Sequence, residues 1–247
     1  MIPNTKFSLS PTFDSQIWRI ILDIPWRLAD ARDTIFAAKF TNYYRLVRPY
    51  TICSRARLRG LYQATEYVVK HNIEGDVVEC GTARGGSAAL IGLTLNQFNS
   101  AKQLWVFDTF EGLPSPTDAD PDYESAKYWT GKCRGELAEV EKMLKDLNIS
   151  ERIHLVKGLF KDTLPVTNVQ KIAAIHLDGD WYESTKCCLD YLYDRISPGG
   201  VIQIDDYGRW AGARKAVDEF FKNRGISVKL RYIDYSGRQF IKPLSGY

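Results

Sequence analysis

Asp178, Asp205 and Asp206 each stand directly after a short apolar run, the first after Ile172 to Leu177 and the other two after Val201 to Ile204. If those runs are neighbouring strands, the three acids crowd one edge, where unpaired like charges repel and raise each other's pKa. A hard divalent cation removes that repulsion, and an all-oxygen set selects magnesium, calcium or manganese. Asp180, two residues after Asp178, adds a fourth acid to the same place.

Other runs end in residues that could hold a ligand. Glu79-Cys80-Gly81-Thr82-Ala83-Arg84-Gly85-Gly86-Ser87 follows an apolar run, and its glycines let the backbone turn tightly and a ligand approach a helix start. The spacing is not G-x-G-x-x-G, so a pyrophosphate cradle is disfavoured. Asp108, at the next such end and followed by Thr109-Phe110, could accept hydrogen bonds from ribose hydroxyls. Lys157 to Phe160 closes a further run.

The elements that must position these residues alternate. Strands are predicted at Asp76 to Cys80, Leu104 to Phe107, Ile153 to Val156, Ile172 to Leu177 and Val201 to Ile204, with two more in the tail, Ser227 to Ile233 and Arg238 to Ile241. Helices are predicted at Ala56 to Lys70, Ser87 to Phe98, Glu136 to Leu147, Tyr182 to Ile196 and Ala211 to Phe221, with Ser197-Pro198-Gly199-Gly200 stopping the fourth. This alternation indicates an α/β fold of βαβ units on a parallel sheet, whose ligands bind beyond the carboxyl ends of the strands. Before it, shorter helices are expected around Phe13 to Leu22 and Leu28 to Tyr44, among prolines and basic and aromatic residues. The domain reading is a segment 1–58, serving as helical lid or as a contact between copies, and a main domain 59–247.

A net charge of +3 over 247 residues lacks the dense basic stripe of a nucleic-acid binder. Five cysteines without metal-ligand spacing suit a reducing cytosol, so a cytoplasmic protein is expected. No apolar run approaches the roughly 20 residues that span a bilayer, and no integral membrane association is expected.

As a set, V-V-E-C-G-T-A-R-G-G-S, D-T-F-E-G-L-P, G-L-F-K-D-T-L-P, H-L-D-G-D-W-Y-E-S-T and S-P-G-G-V-I-Q-I-D-D-Y-G resemble the macrocin O-methyltransferase family, in the family's order, from about Tyr50 to Phe221. The resemblance implies a Rossmann-like, doubly wound, mostly parallel sheet under an N-terminal helical lid. It also implies methyl transfer from S-adenosylmethionine to a hydroxyl of a small-molecule or glycan acceptor, with magnesium. Glu79, Gly81, Gly85 and Ser87 would hold the methionine part and Asp108 the ribose. Thr109, Phe110, Gly158 and Phe160 would lie by the nucleoside, and Thr51, after Tyr50, would cover the cofactor. Asp178, Asp205 and Asp206 would hold the metal, and Asp180 would take the acceptor's proton. The first motif is similar also to catechol-type O-methyltransferases, but those carry a basic lysine three residues after the first metal acid, where this chain has Trp181. A homo-oligomer is expected.

Two rival readings remain at this point. Asp178-Gly179-Asp180 has the D-x-D form by which many glycosyltransferases hold a metal-bound nucleotide sugar, though that leaves the Glu79 to Ser87 loop unexplained. A binding protein without turnover would be expected to have lost one of the acids. His176 is expected to be a buried structural imidazole pointing away from the face used by Leu177. His71 and His154 are expected to have no chemical part, and Arg84 and Lys186 to be solvated.

Overall fold

The computed structural model describes residues 38–243. In chain order these form α1 (Ala38–Val47), α2 (Arg55–Lys70), β1 (Asp76–Cys80), α3 (Gly86–Gln97), β2 (Leu104–Asp108), α4 (Tyr123–Lys127), α5 (Leu137–Asp146) and β3 (Ile153–Lys157). There follow α6 (Phe160–Thr163), β4 (Ile172–Leu177), α7 (Tyr182–Leu192), β5 (Ile196–Ile204), α8 (Ala211–Asn223), β6 (Arg231–Tyr232) and β7 (Arg238–Ile241). The helix expected at 13–22 lies outside the described residues, and the one expected at 28–44 is described only from Ala38. The larger of the chain's two units begins at Asn42, and everything below concerns that unit.

The strands form one sheet in the order β3-β2-β1-β4-β5-β7-β6. The first five are parallel, and β7 joins β5 antiparallel. The order reverses between β1 and β4, which opens a crevice beyond their carboxyl ends. Beyond the last strand residues the ends stay stitched: Gly81 N–H donates to Phe107 O (2.8 Å), Asp178 N–H to Cys80 O (2.8 Å), Asp205 N–H to Leu177 O (2.8 Å) and Gly158 N–H to Asp108 O (2.9 Å). The chemistry-bearing residues therefore stand in one row with fixed spacing.

Strand alternation sorts the two faces. Ile175 and Leu177 of β4, Ile202 and Ile204 of β5 and Phe240 of β7 pack with Leu189 and Leu192 of α7 and Val217, Phe220 and Phe221 of α8 in one apolar core. The opposite face carries a polar row set by register: Glu79 of β1 beside His176 of β4, beside Gln203 of β5, beside Gln239 of β7. All four are buried. Helix α2 satisfies two of them, since the Gln203 amide donates to Arg57 O and the Gln239 amide to Gly60 O, both at 3.2 Å. Gly60 permits this approach, because a Cβ there would stand 2.6 Å from Gln203 Oε1.

Two expected boundaries are corrected. The Ser197-Pro198-Gly199-Gly200 stretch does not stop a helix; α7 ends at Leu192 and the four residues lie inside β5, which begins at Ile196. Pro198 has no N–H for a ladder, and the pairing of β4 with β5 shifts register there while Gly199 takes φ +79. The tail strand expected from Ser227 shrinks to Arg231–Tyr232. Val228 and Leu230 pack against the apolar core instead of pairing with a neighbouring strand.

Gly81 has φ +89, and a Cβ there would overlap the carbonyl oxygen of Asp178. The Gly81→Ala variant is expected to lose about 2 kcal/mol or more of stability in urea unfolding. A loss within a few tenths of a kcal/mol of zero would show that β1 and β4 need not approach so closely.

Candidate active site

At the end of β4 and β5 the acids divide into two groups. Each oxygen of Asp205 has a partner: Oδ1 meets His176 Nε2 at 3.2 Å, and Oδ2 forms an ion pair with Arg57 Nη1. Arg57 Nε continues to Asp234 Oδ2 at 3.1 Å, and Asp234 also accepts from Ser54 Oγ and from the N–H groups of Ser236 (2.9 Å) and Gly237 (2.7 Å). On its other side His176 Nδ1 meets Glu79 Oε1 at 2.9 Å. Glu79, His176, Asp205, Arg57 and Asp234 thus form one buried chain of alternating sign. Arg57 and then His176 hold the Asp205 carboxyl below its usual range despite burial. His176 is pushed up to about 9: its hydrogen bonds to Asp205 and Glu79 overcome the burial that would lower it.

Asp178, Asp180 and Asp206 form the second group, and one oxygen from each lies within 4.8 Å of the others. No cation among the described residues forms a salt bridge with any of them. Burial raises Asp178 and Asp180 well above the carboxylate range, with Asp205 and Asp206 respectively the strongest repelling neighbours. Burial, then Asp205, lifts Asp206 to about 6. Three hard oxygen donors converge without a salt bridge, with Arg57 and Arg209 offsetting their repulsion only in part, and such a set fits a divalent cation of the magnesium class. Cys53, which the sequence did not single out, is buried with Sγ 4.0 Å from Asp178 Oδ2, and burial pushes its thiol up. Signal for it existed only in space, 125 residues from Asp178.

Asp180 occupies a left-handed conformation at φ +56. Its N–H donates to Asp206 Oδ2 (3.1 Å) and its Oδ1 accepts from Trp210 Nε1 (2.9 Å). Ala83 (φ +48) and Phe110 (φ +55) take the same strained conformation after β1 and β2. Three strand-end loops at the crevice therefore each carry a left-handed residue, a conformation that recurs at functional sites.

The expected cofactor residues lie along that region. Asp108 acts as a clamp on the glycine loop: Oδ2 accepts from Thr82 N–H (2.7 Å) and Ala83 N–H (3.0 Å), and Oδ1 from Phe110 N–H (2.7 Å). Burial raises its pKa against these donors. Thr109 shapes the turn by donating to Gly112 O (2.8 Å), and Phe110 is buried. Gly85 caps α3 in the left-handed conformation with no side chain to satisfy the first turn, which holds buried Ser87. The loop keeps two buried oxygens without partners, Glu79 Oε2 and Thr82 Oγ1. Tyr50 and Thr51 press on Gly86, where a Cβ would stand 2.7 Å from each of Tyr50 O and Thr51 Cβ. Gly158 takes φ +147, and Phe160 opens α6 and packs on the apolar core.

One part of the site was not legible in the sequence. The segment between β2 and α5 docks onto two helix starts and caps both. Asp120 Oδ1 accepts from Tyr182 N–H (2.7 Å) at the start of α7, and Asp122 Oδ2 from Ala211 N–H (3.0 Å) at the start of α8. Trp181 Nε1 donates to Pro114 O (2.7 Å). Trp181, at the position where catechol-type enzymes have their lysine, is buried and packs edge-on against Trp210 (4.9 Å between centroids).

His176 is buried, as expected, but lies against two of the acids. His71 bonds Tyr67 O (2.9 Å) within its own helix and His154 stacks on Trp105 (4.3 Å), both away from the acids. Lys186 pairs with Asp190 on the exposed side of α7, and Arg84 is exposed.

Two tests follow. Arg57→Met would leave Asp205 and Asp234 buried without their cation, and it is expected to cost about 3–5 kcal/mol in denaturant unfolding, Arg57→Lys less. The folded protein holds the Asp206 proton until about pH 6, whereas a free aspartate releases it near 3.8. The stability this group contributes is therefore complete below the lower value and is lost as pH rises through the higher one. Magnesium should accordingly raise Tm little at about pH 4 and clearly above about pH 6. A magnesium effect that does not change with pH would count against a carboxylate site.

The profile of the macrocin-O-methyltransferase (TylF) family matches residues 44–242. The chain is 35% identical over 194 residues to the 8-demethyl-8-(2,3-dimethoxy-alpha-L-rhamnosyl)-tetracenomycin-C 4'-O-methyltransferase of Streptomyces olivaceus, covering 76% of this chain and 74% of that protein. It is 32% identical over 214 residues to the demethyldecarbamoylnovobiocin O-methyltransferase of Streptomyces niveus, covering 83% and 81%. Among solved structures, the O-methyltransferase NovP matches with a TM-score of 0.73 at 30% identity, over 78% of this chain and 82% of that one. The calicheamicin methyltransferase CalS11 matches at 0.61 and 17% identity, over 97% and 99%, a likeness of fold.

Proposed function

Since the chain belongs to the macrocin-O-methyltransferase family and is an O-methyltransferase, we propose that it moves a methyl group from S-adenosylmethionine to a hydroxyl of a sugar, glycosylated natural product or polysaccharide, with magnesium. The convergence of Asp178 and Asp206, one oxygen of each within 4.8 Å of the other, with Asp180 beside both and Gly81 packed on Asp178, carries this reading. Membership of the family removes the ground for the D-x-D glycosyltransferase alternative.

In this reading Glu79, Gly81, Gly85 and Ser87 receive the methionine part. The unpartnered Glu79 Oε2 suits an ammonium group, and the uncapped start of α3 suits a carboxylate. Asp108, already fixed by three backbone donors, has lone pairs left for the ribose hydroxyls. Phe110, Gly158 and Phe160 would lie by the adenine, and Thr51 would cover the cofactor from above Gly86.

Asp178, Asp205 and Asp206 would hold the magnesium; the oxygens of Asp205 that meet Arg57 and His176 each keep a second lone pair. When bound, the ion would neutralise the acids and lower the pKa of a nearby hydroxyl. Asp180 would take the proton. Trp210 occupies its Oδ1, so Oδ2 remains to accept. As the acceptor oxygen forms its bond to the methyl carbon, the sulfur–carbon bond breaks with its electrons left on sulfur. The proton passes to Asp180, leaving an ether and S-adenosylhomocysteine. His176 and Arg57 would act as positioning residues that keep Asp205 ionised and oriented.

The Asp180→Asn variant should lose turnover by about 100-fold or more, while calorimetry records S-adenosylhomocysteine affinity close to that of the unaltered protein. Normal turnover in that variant would remove Asp180 as the base.

A further inference from the structure

One surface beside the acids has a charge pattern that methyl transfer alone does not explain. Arg209, exposed, lies with Cζ 4.9 Å from the centroid of Trp210, whose Nε1 bonds Asp180, and 5.4 Å from that of Trp129. Lys132 Nζ lies 5.5 Å from the same Trp129 ring and 2.9 Å from the centroid of Tyr128. Two cations thus share one indole at the edge of the site. Their neighbour Cys133 responds electrostatically to Asp180, Arg209, Asp206 and Asp108, so this turn stands over the acids.

Neither cation forms a salt bridge with a carboxylate among the described residues, although Arg209 acts electrostatically on Asp180. Cation–π contact with tryptophan holds an arginine or lysine without spending its N–H donors. Both cations approach the same ring, and the donors of Arg209, with those of Lys132 not given to Tyr128, suit phosphate or carboxylate oxygens. The wall that carries them is rigid, because Asp120 and Asp122 lock its segment onto the starts of α7 and α8.

We propose that the acceptor is an anionic sugar, whose phosphate or carboxylate is held by Lys132 and Arg209 while the hydroxyl to be methylated faces Asp180. The proposal rests on the methyl-transfer reading above and adds the acceptor's charge to it. Arg209 and Lys132 are specificity-determining residues in it and take no part in the chemistry.

The test is calorimetry on the full chain with magnesium, first with S-adenosylhomocysteine alone and then, with it saturating, with three probes: glucose 1-phosphate, glucuronic acid and methyl glucoside. At least one anionic probe should bind about tenfold or more tighter than the neutral one, and added potassium chloride should weaken that preference. Arg209→Gln and Lys132→Gln should each remove most of it with Tm unchanged, and Arg209→Lys should restore part. Preference for the phosphate identifies a phosphorylated or nucleotide-activated sugar, preference for the uronate an acidic glycan. The proposal is overturned if the neutral probe binds as well as both anions, undetectable binding of all three included, or if the double Gln variant keeps the preference. Failure of S-adenosylhomocysteine to bind would instead sink the methyl-transfer reading, whatever the probes do.

Discussion

Burying carboxylates demands compensating charge, and at the end of this sheet the compensation is deliberately unequal. Arg57 and His176 lie among Glu79, Asp205 and Asp234 and balance them with direct ion pairs. Asp178, Asp180 and Asp206, a few ångströms away, receive no such partner. Asp206 is buried and Asp178 and Asp180 half-buried, and an unpaired charge withdrawn from water is costlier than a paired one, so the second group stays protonated or recruits a cation. The rest of the architecture serves to hold this division in place.

Arg57 can reach Asp205 only because α2 lies close on the sheet. That closeness rests on a polar row crossing an otherwise apolar face, Glu79, His176, Gln203 and Gln239, with two amides of the row bonded to the backbone of α2. Gly60 leaves room for the contact. Within this layer, hydrogen bonds from Glu79 to His176 and from His176 to Asp205 join the end of β1 to the acids of β5. On the other face, tightly packed aliphatic and aromatic side chains set the separation of α7 and α8 from the sheet. The starts of those two helices are capped by Asp120 and Asp122 of a distant segment, which thereby becomes the wall carrying Trp129 and Lys132.

Much of the frame is legible in the order of residues. Local periodicity predicts Asp76 to Cys80 and Ile172 to Leu177 to the residue, because an apolar run closed by glycine or an acid leaves few alternatives. Where a proline and two glycines sit inside a strand, the same local rules predict a stop, and the cross-strand bulge of β5 overrides them. The positions of Asp178, Asp180, Asp205 and Asp206 at adjacent strand ends follow from sequence alone, since parallel strands linked by helices bring their carboxyl ends together.

What the sequence could not decide is how those acids share out their partners. Arg57 stands 148 residues from Asp205 and Asp234 another 29 further on, and nothing local to any of them announces the others. Cys53 beside Asp178, Trp210 on Asp180 and the caps lent by Asp120 and Asp122 are of the same kind. Element types and strand ends depend on neighbours a few residues away, which the order of residues records directly. Charge pairing depends on which side chains the folded layers bring within a few ångströms, and only the tertiary structure sets those distances.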